Sequence, residues 1–281
     1  MPNHRAHFLK PTHPQVSSCS PSLPYHSIAG KQWCVRYLLG GENRILENNS
    51  NNYSAKESWT RDIAKSLQQG NLPAQGLVRI LKGKYPKLSS LPSTGSALDI
   101  GCGDARNATF LDEFGFNVTG IEISENTITE LKEAFPHINF QVGLNSNTKQ
   151  ASSAFDLIVS WHAAYYLGAN EITMVDVFSE FYRVVRKTKS SRLIISVPMG
   201  TSFIYAGCGL LSKNSQYECV EIKNDPFAIR NGETLAKFNS IEGLISCLAD
   251  AKWTDFEIGE EKGDWFGLQY DWWTIVCRPS L

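Results

Sequence analysis

Paired cysteines are the first thing this chain lacks. Its seven cysteines, at 19, 34, 102, 208, 219, 247 and 277, are odd in number and form no Cys-x-x-Cys. Neither a disulfide framework nor a zinc site is implied, and reduced thiols in a cytoplasmic protein are the expectation. Charge of one sign is lacking too: 27 Lys and Arg stand against 28 Asp and Glu, a net −1 over 281 residues. Such a chain has no overall pull toward phosphate backbones, so no nucleic-acid partner is expected. No apolar run approaches the roughly 18 residues that span a bilayer, so no membrane span is expected either. Acids are missing from the start, where none precedes Glu42 while Pro2, Pro11, Pro14, Pro21 and Pro24 crowd together. Those prolines break the amphipathic helix of an organelle-targeting peptide. His4, His7, His13 and His26 are too irregularly spaced in that tract to suggest a metal site. Residues 1–50 are therefore expected to be a disordered or loosely attached extension.

What is present begins with the polar linker ENNSNNYS. Helical spacing follows over about 55–69 (Trp59, Ile63, Leu67) and 74–84 (Leu77, Ile80, Leu81). Strand and helix signals then alternate. ALDIG, NVTGIEI, INFQVG, FDLIVSW and RLIISVP have strand character, with helices over about 106–114, from Ser124 to Pro136, and along EITMVDVFSEFYRVVRK. An irregular stretch spans about 199–239. A helix starts at Ser240, and WTDFEIG and LQYDWWTIVC close the chain as strands with no helix between them. The alternation implies an α/β fold, a seven-stranded, mostly parallel Rossmann-like sheet with helices on both faces. The helix-free final pair implies an antiparallel last strand. One domain is expected over 51–281, carrying an insert at about 199–239.

The stretch ALDIGCGDARN carries the chemistry. In open α/β sheets ligands sit beyond the carboxyl ends of the strands, and Gly101 and Gly103 fall there. Glu122 ends the second strand, 122 − 101 = 21 positions on, where a carboxylate suits ribose hydroxyls. A nicotinamide dinucleotide wants a third glycine in G-x-G-x-x-G; that position is Arg106. No Lys-Ser or Lys-Thr of a phosphate loop follows. A ligand with a ribose but no phosphate fits better.

At these residues the chain resembles the class I S-adenosylmethionine (SAM) dependent methyltransferases, from about Ser54 to the C-terminus. LDIGCG resembles the family's first motif, GIEIS its second, and FDLIVSWHAAYYL its fourth-strand motif; GCGDARN is similar to bacterial-type members that act on small molecules. Ala105 stands where the family often has a third glycine. The resemblance implies SAM as cofactor and S-adenosylhomocysteine (SAH) as product. It implies that Asp99 holds the methionine amino end or orders the loop, and that Gly101, Cys102 and Gly103 supply backbone. Arg106 and Asn107 follow on the cofactor side. Glu122 takes the ribose, Ile123 packs on adenine, and Leu144 and Asn145 stand in for an adenine-side Asp. Ser160 and Trp161 face the methionine end and the acceptor.

His162, after the fourth strand, is the candidate base for a hydroxyl acceptor. Its other reading is a structural histidine in the cofactor wall. Tyr165 is the second catalytic candidate, though it and Tyr166 suit packing or orienting. Tyr205, Asp225, Arg230 and Asn231 are polar candidates in the insert, which should wall the acceptor side. Tyr270, Trp272 and Trp273 can stack on a sugar or form the core of a strand. The implied activity is methyl transfer to a small molecule, such as a sugar or other small metabolite. A non-catalytic SAM- or SAH-binding partner and a nicotinamide oxidoreductase are the rival readings. The sequence names no oligomeric state.

Overall fold

A computed structural model describes residues 72–88, 90–168 and 172–281. The N-terminal extension with its histidines, the polar linker and the helix expected over 55–69 lie outside the described residues.

Helix α1 spans Gln75–Lys82. Strand β1 (Gly95–Ile100) leads through the glycine loop into α2 (Arg106–Phe114), which Gly115 stops at φ 114°. Glycine reaches that backbone region without the steric cost a Cβ imposes. Strand β2 is Phe116–Glu122, and α3 is Glu125–Ala134, begun by Ser124, whose side chain accepts from the Thr127 amide. Strands β3 (Asn139–Val142) and β4 (Leu157–Trp161) precede α4 (Met174–Val184). Thr173 and Asp176 cap α4 reciprocally, satisfying two of the amide donors that a helix start leaves orphaned. Strand β5 is Arg192–Pro198. The stretch expected to be an irregular insert carries a short 3₁₀ turn (Phe203–Tyr205) and three strands, β6 (Gly209–Lys213), β7 (Glu218–Glu221) and β8 (Thr234–Lys237). Helix α5 (Ile241–Asp250) and strands β9 (Trp253–Trp265) and β10 (Leu268–Pro279) complete the chain.

The main sheet has seven strands in the order β3-β2-β1-β4-β5-β10-β9. Strands β1 to β5 pair in parallel, while β10 runs antiparallel to both β5 and β9. The last strand is thus the reversed one, and it slots between two others rather than adding at the edge. Side-chain alternation splits the core in two. Ala97, Leu157, Val159 and Ile194 pack with Leu77, Ala108, Leu111, Ile128 and Leu131 from α1, α2 and α3. Leu98, Ile100, Ile158, Leu193 and Ile195 pack with Phe178 and Phe181 of α4 and with Leu244 and Leu248 of α5. Period-2 strands buried on both faces demand helices on both faces.

The three short strands form a separate antiparallel sheet in the order β6-β7-β8. Val220, Leu235, Ala236 and Phe238 bury its inner side in the same core as α4 and α5. Strand β8 also bonds the chain just beyond β4. The Ala236 amide donates to the Tyr165 carbonyl at 2.9 Å, and the Leu167 amide to the Thr234 carbonyl at 3.1 Å. The insert is therefore stitched to the carboxyl end of β4.

Candidate active site

Two strand ends build the first half of the site. Gly101 and Gly103 hold φ of 71° and 54°. A Cβ on Gly101 would stand 2.4 Å from the Ala163 Cβ, so this glycine answers both to its dihedral and to the segment after β4. A Cβ on Gly103 would meet nothing within 4 Å, leaving its backbone open to an approaching ligand. The amides of Gly101 and Cys102 both donate to the Ile121 carbonyl, at 2.9 and 3.0 Å, tying the loop to the end of β2. The Cys102 side chain is buried, and burial, then the nearby Asp99 and Glu122, push its thiol well above the usual range. A thiol so held is a weak nucleophile.

Glu122 is buried at the end of β2. Its carboxylate accepts from the Gly103 amide at 3.2 Å and the Ile123 amide at 2.7 Å. Burial raises its pKa while the amide bonds hold it down. A carboxylate has about four acceptor positions, so capacity for hydroxyls remains. Asp99 is the more costly group. It is enclosed at 1% exposure, and its Oδ2 has no hydrogen-bond partner. Burial first, then the neighbouring Asp104, push its pKa up to about 7; Arg106 and the Ala108 amide oppose this. An unfilled buried carboxylate oxygen asks for a donor or a cation. The ammonium end of an amino acid supplies both. With the open Gly103 backbone and the Glu122 carboxylate, the residues present fit SAM.

Ala105 precedes α2 at φ 63°, the region that glycine favours. Several expected cofactor residues are engaged by the protein itself. Asn107 Oδ1 accepts from the Ala74 amide at 3.0 Å, fixing the start of α1. Asn145 Nδ2 donates to the Ala163 carbonyl at 2.8 Å, joining the loop after β3 to the segment after β4. Leu144 is exposed and Ile123 half-buried. Arg106, at the start of α2, lies 3.9 Å from Asp104 through Nε. Ser160 departs from expectation: it is fully buried, and its hydroxyl donates to the Ile100 carbonyl at 3.3 Å. The bond ties β4 to β1. Trp161 is buried against Gly76 of α1.

The second half of the site lies beyond β4. His162 sits at φ 59°, a strained conformation for a side-chain-bearing residue. Its ring stacks on Trp272 at 3.8 Å between centroids, and its Nε2 lies 3.4 Å from the Tyr270 hydroxyl. Withdrawal from water, then the charges of Arg106 and Arg230, push its pKa down to about 3. An imidazole so held is neutral and a poor proton acceptor. This counts against the base expected here and favours an orienting or wall role. Tyr165 is also corrected: at 1% exposure it packs edge-on to Trp272 at 5.8 Å, within the core. Its phenol is pushed well above the usual range, by burial first. Trp272 and Trp273 are buried strand residues, not a free platform for a sugar, whereas Tyr270 is half-buried. Tyr205 donates to the Ala236 carbonyl at 2.7 Å and is structural.

Residues 97–188 match the family model of the methyltransferase domain. This stretch, which runs from β1 to just beyond α4, is where the chain is similar to methyltransferase domains. The solved SAM-dependent methyltransferase from Methanosarcina mazei has 20% identity over 70% of this chain and 98% of its own, at a TM-score of 0.55. Another, from Mesorhizobium loti, has 17% identity over 70% and 99%, at 0.50. The 1,6-didemethyltoxoflavin-N1-methyltransferase of Burkholderia thailandensis, solved with that substrate and SAH, has 12% identity over 74% and 79%, at 0.50. At these identities the likeness is one of fold. No curated protein matches the chain in sequence.

Around this site, sequence reasoning left three features unread. The Tyr166 phenol accepts from the Arg230 guanidinium. The Trp272 indole N–H is buried with no partner. Asp271, also buried, accepts from Thr201 at 2.6 Å and from Gln269. Among the described residues no group of three or more His, Cys, Asp or Glu could hold a metal ion. Among them, too, no helix is long and apolar enough to cross a membrane.

Proposed function

We propose that the chain transfers the methyl group of SAM to a small-molecule acceptor lying between the segment after β4, the start of β10 and the small sheet. The observation that carries this reading is the pair of buried carboxylates at adjacent strand ends. Asp99 has an unfilled oxygen, and Glu122 grips the glycine loop. Bound there, SAM supplies a methyl group already activated on a sulfonium. Asp99 takes the ammonium of the methionine portion, and Glu122 takes the ribose hydroxyls. Ile123 and Leu144 flank the adenine, while Asn145 holds the loop that carries Leu144. Arg106 lies at the mouth of the loop and sets its charge.

The protein's remaining task is alignment, since the cofactor carries the activation. His162 stays neutral and, together with Tyr270, presents polar edges over the Trp272 face. These edges orient an acceptor without moving its proton. The test is incubation with methyl-labelled SAM and a panel of small metabolites, read by mass spectrometry. Label in a product supports transfer. SAM binding without any labelled product favours the non-catalytic binder, and NAD binding in place of SAM favours the oxidoreductase.

A further inference from the structure

The acceptor's charge can be read from the same site, and the inference rests on the methyl-transfer reading above. The segment 225–231 is built around one guanidinium. Asp225 is fully enclosed, and its Oδ2 accepts from the Ile229 amide at 3.0 Å and the Arg230 amide at 3.3 Å. Its Oδ1 pairs with Arg230 Nη1 at 3.1 Å. Asn231 Oδ1 closes the turn by accepting from the Asp225 amide at 2.9 Å. The carboxylate is thus occupied by its own loop, and it holds the guanidinium on a short tether. Toward β4 the guanidinium donates to the Tyr166 phenol. Its Nε–H remains buried with no hydrogen-bond partner among the described residues.

A second unfilled donor stands on the other side of Tyr165, whose ring lies 5.0 Å from Tyr166 and 5.8 Å from Trp272. Trp272 Nε1 is buried without a partner, and the Trp272 ring stacks on His162 and meets Tyr165 and Tyr270. Buried donors without partners are costly and rare in native proteins. Two of them, one on each side of Tyr165, call for a ligand that brings lone pairs. At His162 the charge agrees with this. The charged groups felt at His162 are Arg106 and Arg230, both cations, whereas Asp225 and Glu233 are felt further along, at Tyr166. An amine acceptor would place a further positive charge here on methylation, and the neutral His162 is a poor acceptor for its proton. An oxyanion has neither difficulty.

We propose that the methyl acceptor is a small-molecule oxyanion, a carboxylate or an acidic phenol or enol, which Arg230 receives and orients. A lone pair of the acceptor oxygen forms the new C–O bond as the C–S bond breaks. The C–S pair stays on sulfur, which becomes a neutral thioether. The negative charge of the acceptor and the positive charge of the sulfonium cancel, and no proton moves. Arg230 is the recognition residue, and Asp225 positions it.

The experiment is calorimetric titration of the protein–SAH complex with matched ligands. Benzoate is compared with benzamide and benzylamine, indole-3-acetate with its amide and with tryptamine, and 4-nitrophenolate with 4-nitroaniline. The expected result is that at least one anion binds about tenfold to hundredfold more tightly than its neutral and cationic counterparts, the range of one charge-assisted hydrogen bond. Arg230→Gln should erase that preference, Arg230→Lys should restore part of it, and SAH affinity should stay unchanged in both. If Arg230→Gln fails to fold because Asp225 is left buried, the double variant D225N/R230Q removes both charges and should show the same loss. With SAM in place of SAH, the preferred anion should leave as its O-methyl ester or ether. No anion preference in any set, a preference that survives Arg230→Gln or the double variant, or methylation at nitrogen or carbon overturns the proposal. Failure of the wild type to bind SAH at all would overturn the methyl-transfer reading itself, which separates the two failures.

Discussion

Replacing Asp99 by Asn should stabilise the free protein at alkaline pH while it weakens cofactor binding. Asp99 is enclosed, and its pKa stands at about 7 against an ordinary 3.8. Its folded pKa is raised, so the unfolded chain loses this proton first as pH climbs. Stability is therefore lost between about pH 4 and pH 7, and the full penalty is present above pH 7. A shift of about three units at about 1.36 kcal/mol each gives roughly 4 kcal/mol. Asparagine puts an N–H₂ where the unfilled oxygen stood, and an unsatisfied buried donor costs about 1–3 kcal/mol. The variant should thus gain about 1–3 kcal/mol at pH 8 and lose a similar amount at pH 4, with the sign changing between. Urea melts of both proteins without cofactor, at pH 4, 6 and 8, measure this. The same variant should bind SAM more weakly, because the buried carboxylate partner of the ammonium is gone. A stability difference that does not vary with pH, or an Asn variant less stable at pH 8 as well, would falsify the reasoning about Asp99.

Three further outcomes follow from the geometry. With the His162 pKa at about 3, the ring is already neutral from pH 5 upward. The pH–rate curve between pH 5 and 9 should then carry no histidine inflection, and His162→Gln should keep its shape; an inflection near 6.5 lost in the variant would reinstate the base. Ala105→Gly should stabilise the fold by up to about 1 kcal/mol in thermal melts, since position 105 holds φ 63° and a Cβ is penalised there; a clear loss would mean that the alanine methyl packs more usefully than its strain costs. Gly101→Ala should lower the melting temperature and abolish SAM binding, since the new Cβ would meet Ala163 at 2.4 Å on a backbone at φ 71°; a variant that binds normally would mean that the segment after β4 yields easily.

The sequence was most legible where signals are local. Helix α2 was expected over about 106–114 and spans Arg106–Phe114, because Gly115 marks its end by dihedral requirement. RLIISVP was read as a strand and is β5, Arg192–Pro198. The glycine loop and Glu122 were legible for the same reason, since the turn and its carboxylate are neighbours along one strand–helix–strand unit. Strand β9 was read as WTDFEIG but runs to Trp265; EEKGDW has no apolar alternation because it pairs on one side only, with β10. The slot of β10 between β5 and β9 depends on pairing between distant segments, which no local pattern encodes. The short strands of the insert were unread for a related reason: they are four or five residues each and pair with one another. At Ser160, alternation along β4 alone does not say that the Ile100 carbonyl takes the buried hydroxyl. The link between Arg230 and Tyr166 joins residues 230 − 166 = 64 positions apart, and only the stitching of β8 to the segment after β4 brings them together.

Glu122, beside the open glycine loop, is the central residue of the proposed cofactor site. Titration of SAH into the wild type and into Glu122→Ala, with folding of both checked by their melts, tests it directly. The wild type should bind SAH and not NAD, and the variant should bind SAH about 2–4 kcal/mol more weakly, the value of two charge-assisted hydrogen bonds less what water returns. Equal affinity for SAH in wild type and folded variant, or wild-type binding of NAD in place of SAH, would contradict the account.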